Sequence, residues 1–104
     1  MTTVQLSERA LEDMAAIADF YDLIEWGVGQ YFFEQMNAEI SRMLPSFAGT
    51  HRVRHGFFYL NTRRFPMGVY YLIDKDGSVI VDAVLDQRRR PISLASELRN
   101  RRKT

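Results

Sequence analysis

Hydrophobic residues in the first half of the chain recur with the spacing of α-helices. Val4 and Leu6 alternate with polar neighbours and predict a short strand, after which Ser7 is a candidate N-cap. The apolar spacing then predicts a first helix over about residues 8–25. A second helical stripe consists of Phe32, Phe33, Met36, Ile40, Met43 and Leu44. Pro45 is expected to end this second helix, so that the two helices form a hairpin.

In the second half the hydrophobic period changes to the alternation of β-strands. Residues 57–60 alternate, with Phe57 and Tyr59 predicted on one face and the residues between and after them on the other. Residues 69–73 and 79–85 flank a strong turn sequence and predict a hairpin. On its second strand the alternation predicts one face made of Val79, Val81, Ala83 and Leu85.

The last segment of the chain predicts a weakly amphipathic helix or a frayed tail. It covers residues 92–102, follows Pro91, and has Leu94 and Leu98 four residues apart. The whole pattern reads β-α-α-β-β-β and predicts an α+β fold. We expect a helical hairpin packed on a small, mostly antiparallel sheet, with a short C-terminal helix or tail, as a single domain over residues 1–104.

Composition narrows the class of protein. The chain of 104 residues has no cysteine, which excludes a disulfide framework, a thiolate zinc site and a cysteine nucleophile. The sequence shows neither a signal peptide nor a membrane-spanning segment. We therefore expect a soluble, cytoplasmic protein with no membrane partner.

Charge is divided unevenly along the chain. Residues 1–50 carry 8 acidic and 2 basic side chains, a net charge of −6, whereas residues 51–104 carry 12 basic and 5 acidic ones, a net charge of +7. Of the 14 basic residues, 12 are arginines, whose planar guanidinium binds carboxylates or phosphates in a bidentate manner. This indicates a polyanion or an acidic protein as partner. Alternatively, the arginines cover a solvated face and pair with the acidic helices.

No metal site or cofactor is expected from the motifs. His51 and His55 have a metal-ligand spacing only on a helix, whereas the strand predicted here would hold them roughly 13 Å apart. Gly27 and Gly29 lack the strand and the lysine of a phosphate-binding loop, so a helix-helix turn is the better interpretation.

Arginines and tyrosines are the remaining candidates for chemistry. The sheet aromatics are expected to serve mainly as core, although the hydroxyls of Tyr59 and Tyr70 could reach its rim. The arginines with the strongest functional expectation are Arg63 or Arg64, which precede Phe65, and Arg88, which follows the last strand.

Two segments of the chain resemble the RelE/ParE superfamily of bacterial toxins. Residues 63–71 contain an arginine followed by Phe-Pro and then by tyrosines, and residues 79–91 form an apolar strand that ends in Val-Leu-Asp and an arginine run before proline. The preceding helix pair is similar as well, so the resemblance covers almost the whole chain. It implies the toxin of a type II toxin-antitoxin system of the plasmid stabilisation type, which arrests growth and is neutralised by a cognate antitoxin protein.

The superfamily implies two different targets. One branch cleaves messenger RNA on the ribosome, and its chemistry needs a proton-transfer group and cations for the phosphorane. Candidate catalytic residues for that branch are Arg54, Arg63, Arg64, Arg88 and Tyr59. Related ribonucleases often place Tyr or His near the C-terminus, but this chain has neither after Arg88, and Asp86 stands at a frequent family histidine.

We therefore favour the second branch, which inhibits DNA gyrase without hydrolysis. Residues 94–102 are similar to the C-terminal segment of ParE-type toxins. The implied target-binding residues are Arg88, Arg89, Arg90, Leu94, Leu98 and Arg99. Deletion of residues 92–104 is expected to abolish toxicity and leave the fold intact. A third alternative is an inactive relative that only binds its antitoxin.

Overall fold

The computed structural model describes residues 2–103 and has the predicted α+β architecture. Its elements are β1 (Val4–Leu6), α1 (Glu8–Ile24), α2 (Val28–Phe47), β2 (Arg52–Arg54), β3 (Phe57–Asn61), β4 (Met67–Ile73), β5 (Val79–Asp86) and α3 (Pro91–Lys103). The strands form one sheet in the order β1-β5-β4-β3-β2. Neighbouring strands are antiparallel except for β1 and β5, which are parallel.

The helical hairpin is fixed by local capping. The Ser7 hydroxyl accepts a hydrogen bond from the Ala10 amide at 3.1 Å and so caps α1, as the sequence predicts. Gly27 takes a positive φ of 95° in the turn between the helices. The Asp22 carboxylate accepts from the amides of Gly27 and Gly29 at 3.1 and 2.8 Å, and so satisfies free donors at the start of α2.

The expectation that Pro45 ends the second helix is wrong, because α2 continues to Phe47 with Pro45 inside it. Proline removes one helical donor, and the carbonyl left without it is that of Ser41. Since Ser41 is exposed, water can bind this carbonyl and the helix can continue. The helix ends where the Ala48 amide donates to the Leu44 carbonyl at 3.1 Å.

The sheet has one strand more than predicted. The antiparallel pair of β2 and β3 is joined by a two-residue turn at His55 and Gly56, with φ angles of 50° and 84°. Two consecutive residues with positive φ match the right-handed twist of a tight hairpin. The short β2 therefore pairs with β3, and the order after the helices is four strands instead of three.

An irregularity in β5 overturns the predicted face of that strand. Tyr70 is paired with Ala83 and Tyr71 with Val81, so Asp82 is an extra residue, as in a β-bulge. The bulge reverses the alternation after Val81. Val79, Val81 and Val84 therefore face the helical hairpin, whereas Ala83 and Leu85 face the opposite side.

Both faces of the sheet are covered. The larger core lies between the helical hairpin and one face, and includes Met14, Phe32 and Val69. The smaller core lies beneath α3 and contains Phe57, Tyr70, Ala83, Leu85, Leu94 and Leu98. The predicted alternation over residues 57–60 is confirmed, because Phe57 and Tyr59 belong to the smaller core and Phe58 and Leu60 to the larger one. The C-terminal segment is thus a packed helix and not a frayed tail.

Candidate functional site

A group of polar and aromatic side chains lies on the α3 side of the sheet, near the end of β5. The guanidinium of Arg54 lies over the Tyr59 ring, 4.5 Å from its centroid, and donates to the Tyr59 hydroxyl at 3.3 Å. The Tyr59 ring in turn stacks on Tyr70, with centroids 5.6 Å apart. The structure thus brings the predicted residues Arg54 and Tyr59 together, and the stacking fixes the orientation of the tyrosine.

The hydroxyl of Tyr70 is committed to a hydrogen-bond chain. Tyr70 is buried, and its hydroxyl donates to Gln87 Oε1 at 2.8 Å. Gln87 Nε2 donates in turn to Asn61 Oδ1, also at 2.8 Å. Gln87, which the sequence analysis did not single out, therefore holds the end of β5 against β3 and β4. Tyr59 keeps a half-exposed ring and is the more accessible of the two tyrosines.

A cavity of about 370 Å³ lies beside Arg54, and Arg89 also lines it. The cavity is bordered by His55, Gln87, Pro91 and Leu94, so it separates the β2–β3 turn from the start of α3. Two guanidinium groups around one concavity favour an anionic group inside it. Arg89 also donates to the Ser93 hydroxyl at 2.8 Å, which orients its side chain along the first turn of α3.

Arg88 is held by Asp86, two residues before it. Its guanidinium donates to both carboxylate oxygens of Asp86, at 3.0 and 2.7 Å. The hydrogen bond from Arg88 lowers the pKa of Asp86 below its ordinary value, and the same pairing raises the pKa of Arg88. Arg88 thus offsets the negative charge of Asp86, and its guanidinium is no longer free to bind another anion.

Arg63 and Arg64 lie on the helical-hairpin side. The Arg63 amide donates to both carboxylate oxygens of Glu39 on α2, at 3.3 and 3.2 Å, and the Arg64 guanidinium donates to the Tyr31 hydroxyl at 3.1 Å. Arg54, by contrast, contacts the face under α3. The arginines considered for RNA cleavage thus have different partners, since Arg88 pairs with Asp86 and Arg54 contacts Tyr59.

The predicted target-binding residues of the C-terminal segment divide into two groups. Arg88, Arg89, Arg90 and Arg99 are exposed. Leu94 and Leu98 are 4% and 0% exposed, because they cover Phe57 and Leu85 in the smaller core. In this conformation the leucines hold α3 on the sheet. Arg99 is exposed on α3, and Arg89 and Arg90 are exposed directly before it.

A network of charged side chains that the sequence analysis missed fixes α3 to the rest of the molecule. Arg101 donates to Asp13 on α1 and to Glu97 on α3, and Arg9 pairs with Asp82 in the bulge. Hydrogen bonding to Asp13 raises the pKa of Arg101. Asp13 and Arg101 are 88 positions apart, and without the fold no spacing in the sequence indicates this pair.

The two histidines do not lie together in a ligand set. His51 Nδ1 is 2.6 Å from the Tyr71 hydroxyl, whereas His55 is exposed in the β2–β3 turn. Burial lowers the pKa of His51 and raises that of Tyr71. No group of three or more His, Asp or Glu side chains within residues 2–103 has the geometry of a metal site. Over the same residues no helix is long and apolar enough to cross a membrane.

Comparison with known proteins adds a structural relationship. No family model matches the sequence, and no curated protein matches it either. Among solved structures, the fold is similar to a chain of the chromosomal ParDE TA system from P. aeruginosa, with a TM-score of 0.70 and 16% sequence identity. The match covers 81% of this chain and 94% of the other. At this identity the similarity establishes a shared fold.

Proposed function

We propose that the protein is the toxin of a type II toxin-antitoxin system, that it acts in the cytoplasm, and that it inhibits DNA gyrase in the manner of ParE-type toxins. The observation that carries the proposal is the similarity in fold to a chain of a ParDE system over 94% of that chain. The resemblance of residues 63–71 and 79–91 to the RelE/ParE superfamily supports the same class independently. A cognate antitoxin protein is then the expected partner.

The α3 surface favours gyrase inhibition over hydrolysis. Arg89, Arg90 and Arg99 are exposed on or next to a helix that is anchored by two leucines, so a partner protein meets a pre-ordered cationic surface. Arg88 is paired with Asp86, and Tyr70 is buried in a hydrogen-bond chain. Arg88 is therefore not a free cation for a phosphate, and the Tyr70 hydroxyl is not a free acid or base.

One observation favours messenger RNA cleavage as a second candidate. Arg54 contacts Tyr59 next to the cavity that Arg89 also lines, which puts a hydroxyl and two cations near one concavity. In that mechanism the arginines would stabilise the phosphorane, and Tyr59 would take part in proton transfer. An inactive, antitoxin-binding relative is the third alternative.

The experiment that tests these functions is inducible expression in bacteria, with plasmid supercoiling and messenger RNA 5′ ends recorded in the same culture. Altered supercoiling with intact transcripts supports gyrase inhibition. New 5′ ends with normal supercoiling would replace it with the ribonuclease, and growth without arrest would leave the inactive relative.

A matched pair of variants locates the activity. We expect the Arg90→Gln/Arg99→Gln double variant to lose most of the growth arrest, because it removes two exposed cations at α3. The Arg52→Gln/Lys75→Gln double variant removes the same charge from exposed positions elsewhere and should retain the growth arrest. Equal toxicity of both variants would contradict a target-binding role for α3.

A further inference from the structure

A second cationic concavity lies on the opposite side of the sheet from α3. It is a cavity of about 300 Å³ between α2 and the loop that joins β3 to β4. We call it the α2 groove and define it by its lining residues, Gln35, Met36, Ala38, Glu39, Arg42 and residues 62–65. The groove is separate from the α3 surface that is proposed to bind gyrase.

Three arginines supply the charge of the groove. Arg42, Arg63 and Arg64 line it, and none of them forms an ion pair within residues 2–103. The one carboxylate among the lining residues, that of Glu39, accepts the backbone amide of Arg63. The guanidinium of Arg64 is oriented by its hydrogen bond to the Tyr31 hydroxyl. The lining thus carries three cations against one anion, and favours a bound carboxylate or phosphate.

The groove also has apolar walls. Met36 is almost fully buried at its base, and the half-buried Phe65 ring packs against Phe32 and Tyr21 with centroids 5.1 Å apart in each case. The packing holds Phe65 in a fixed position. A ligand with both an apolar and an acidic group fits this lining better than a purely ionic one does.

The shape of the groove follows from helical spacing. Tyr31, Gln35, Ala38 and Arg42 lie four, three and four positions apart, so they form one stripe along α2. The stripe is roughly 16 Å long at the rise of an α-helix, which matches about five residues of extended peptide.

We propose that the α2 groove binds an extended segment of a partner protein, in which acidic side chains alternate with apolar ones. A polynucleotide is disfavoured, because it carries a charge at every residue and would pass the exposed Glu34 and the Glu39 carboxylate. A peptide can place carboxylates at the three arginines and apolar side chains against Phe65. Binding in the α2 groove is expected whether or not the protein arrests growth. An antitoxin is one class of protein that could supply such a segment.

The test uses the full chain and a fluorescein-labelled synthetic peptide of alternating Glu and Leu. We expect saturable binding with amide chemical-shift changes confined to α2 and residues 62–65. The Arg42→Gln/Arg63→Gln variant should weaken binding by about tenfold or more, because two charge-assisted contacts are lost. The Arg52→Gln/Lys75→Gln variant, which loses the same charge from exposed positions elsewhere, should bind within about twofold of the original protein.

Two further ligands test the charge and the class of the partner. A Lys-Leu peptide should not bind, since its charges oppose those of the groove. Absence of Glu-Leu binding, or a loss that is equal in both double variants, would overturn the site. A single-stranded oligouridylate that produces the same chemical-shift changes more strongly than the Glu-Leu peptide would replace the proposed ligand with a nucleic acid.

Discussion

The guanidinium of Arg101 donates two hydrogen bonds to the carboxylate of Asp13, at 2.6 and 2.7 Å, and so joins α3 to α1. Both side chains also form hydrogen bonds with backbone groups of β5. Asp13 accepts the Val84 amide at 2.9 Å, and Arg101 donates to the Asp82 carbonyl at 2.9 Å. The parallel strand β1 pairs with β5 only as far as Val81. Beyond that residue, the ion pair supplies hydrogen bonds that a longer β1 would otherwise provide.

We expect the Arg101→Met variant to lose about 3 kcal/mol of unfolding free energy, because it leaves the carboxylate of Asp13 without its charge partner. The two side chains are only 11% and 15% exposed. Urea unfolding followed by circular dichroism measures the effect. The control is Glu97→Gln, which removes the more exposed partner of Arg101 and should cost less than about 1 kcal/mol. If both variants lost the same amount, the buried pair would not be the main attachment of α3.

Leu98 is predicted to determine whether α3 stays on the sheet. It is fully buried against the smaller core, so Leu98→Ala should cost about 3 kcal/mol through lost burial and the cavity it leaves. Arg99→Ala, at the neighbouring exposed position, should cost less than about 0.5 kcal/mol. Thermal and urea unfolding of the two variants test this directly.

Removal of residues 92–104 has a different expected outcome once the structure is known. The sequence alone favours a deletion that leaves the fold intact, but this deletion exposes Phe57, Tyr70 and Leu85 to water. We now expect the truncated chain to be strongly destabilised and to bind hydrophobic dyes. A truncated protein with the original unfolding midpoint would contradict the packing role of α3. Loss of toxicity on truncation therefore cannot separate target binding from folding, whereas the exposed-arginine variants can.

Gly29 lies where the backbone of α2 comes close to α1. A Cβ at this position would lie 2.5 Å from the Ala18 carbonyl oxygen and 2.6 Å from the Asp22 carboxylate, which caps α2. Gly29→Ala should therefore destabilise the protein by about 1–3 kcal/mol, although alanine is the better helix former. Gln30→Ala, at the next and exposed position, should be neutral or slightly stabilising. A stabilised Gly29→Ala variant would show that the helices can separate without cost.

The sequence predicts elements where a local signal exists. Ser7 caps the first helix, and the alternation over residues 57–60 assigns both faces of β3 correctly. The errors arise where tertiary contacts override the local pattern. The bulge at Asp82 is stabilised by partners on α1 and α3, and the strand β2 exists because His55 accepts a positive φ. Neither feature alters the hydrophobic period in a recognisable way.

The candidate site was predicted less completely than the fold. Arginine content and adjacency identify Arg54, Arg63 and Arg88, but they do not indicate which surface each residue joins. Their positions follow from the partners Tyr59, Glu39 and Asp86, two of which lie on other strands or helices. The burial of Leu94 and Leu98 is a property of the whole sheet, so a spacing of four residues predicts the helix without showing what it covers.

His51 gives a prediction for the dependence of stability on pH. Its Nδ1 lies 2.6 Å from the Tyr71 hydroxyl, which already accepts a hydrogen bond from the Gly49 amide at 3.0 Å. A neutral imidazole can therefore accept a hydrogen bond from the tyrosine hydroxyl. Burial lowers the pKa of His51 below its ordinary value of 6.5. Just below pH 6.5 the unfolded chain binds more protons at His51 than the folded chain does. The free energy of unfolding therefore rises with pH in this range. Its contribution is complete above pH 6.5 and is lost as the pH falls through the folded-state pKa.

Urea unfolding at a series of pH values between about 5 and 7.5 measures this slope. We expect His51→Gln to flatten the part of the slope that histidine causes, because glutamine does not titrate. Tyr71→Phe should lower stability at every pH, because it removes the acceptor of the Gly49 amide. A slope that is the same in His51→Gln as in the original protein would contradict the assignment of this titration to His51.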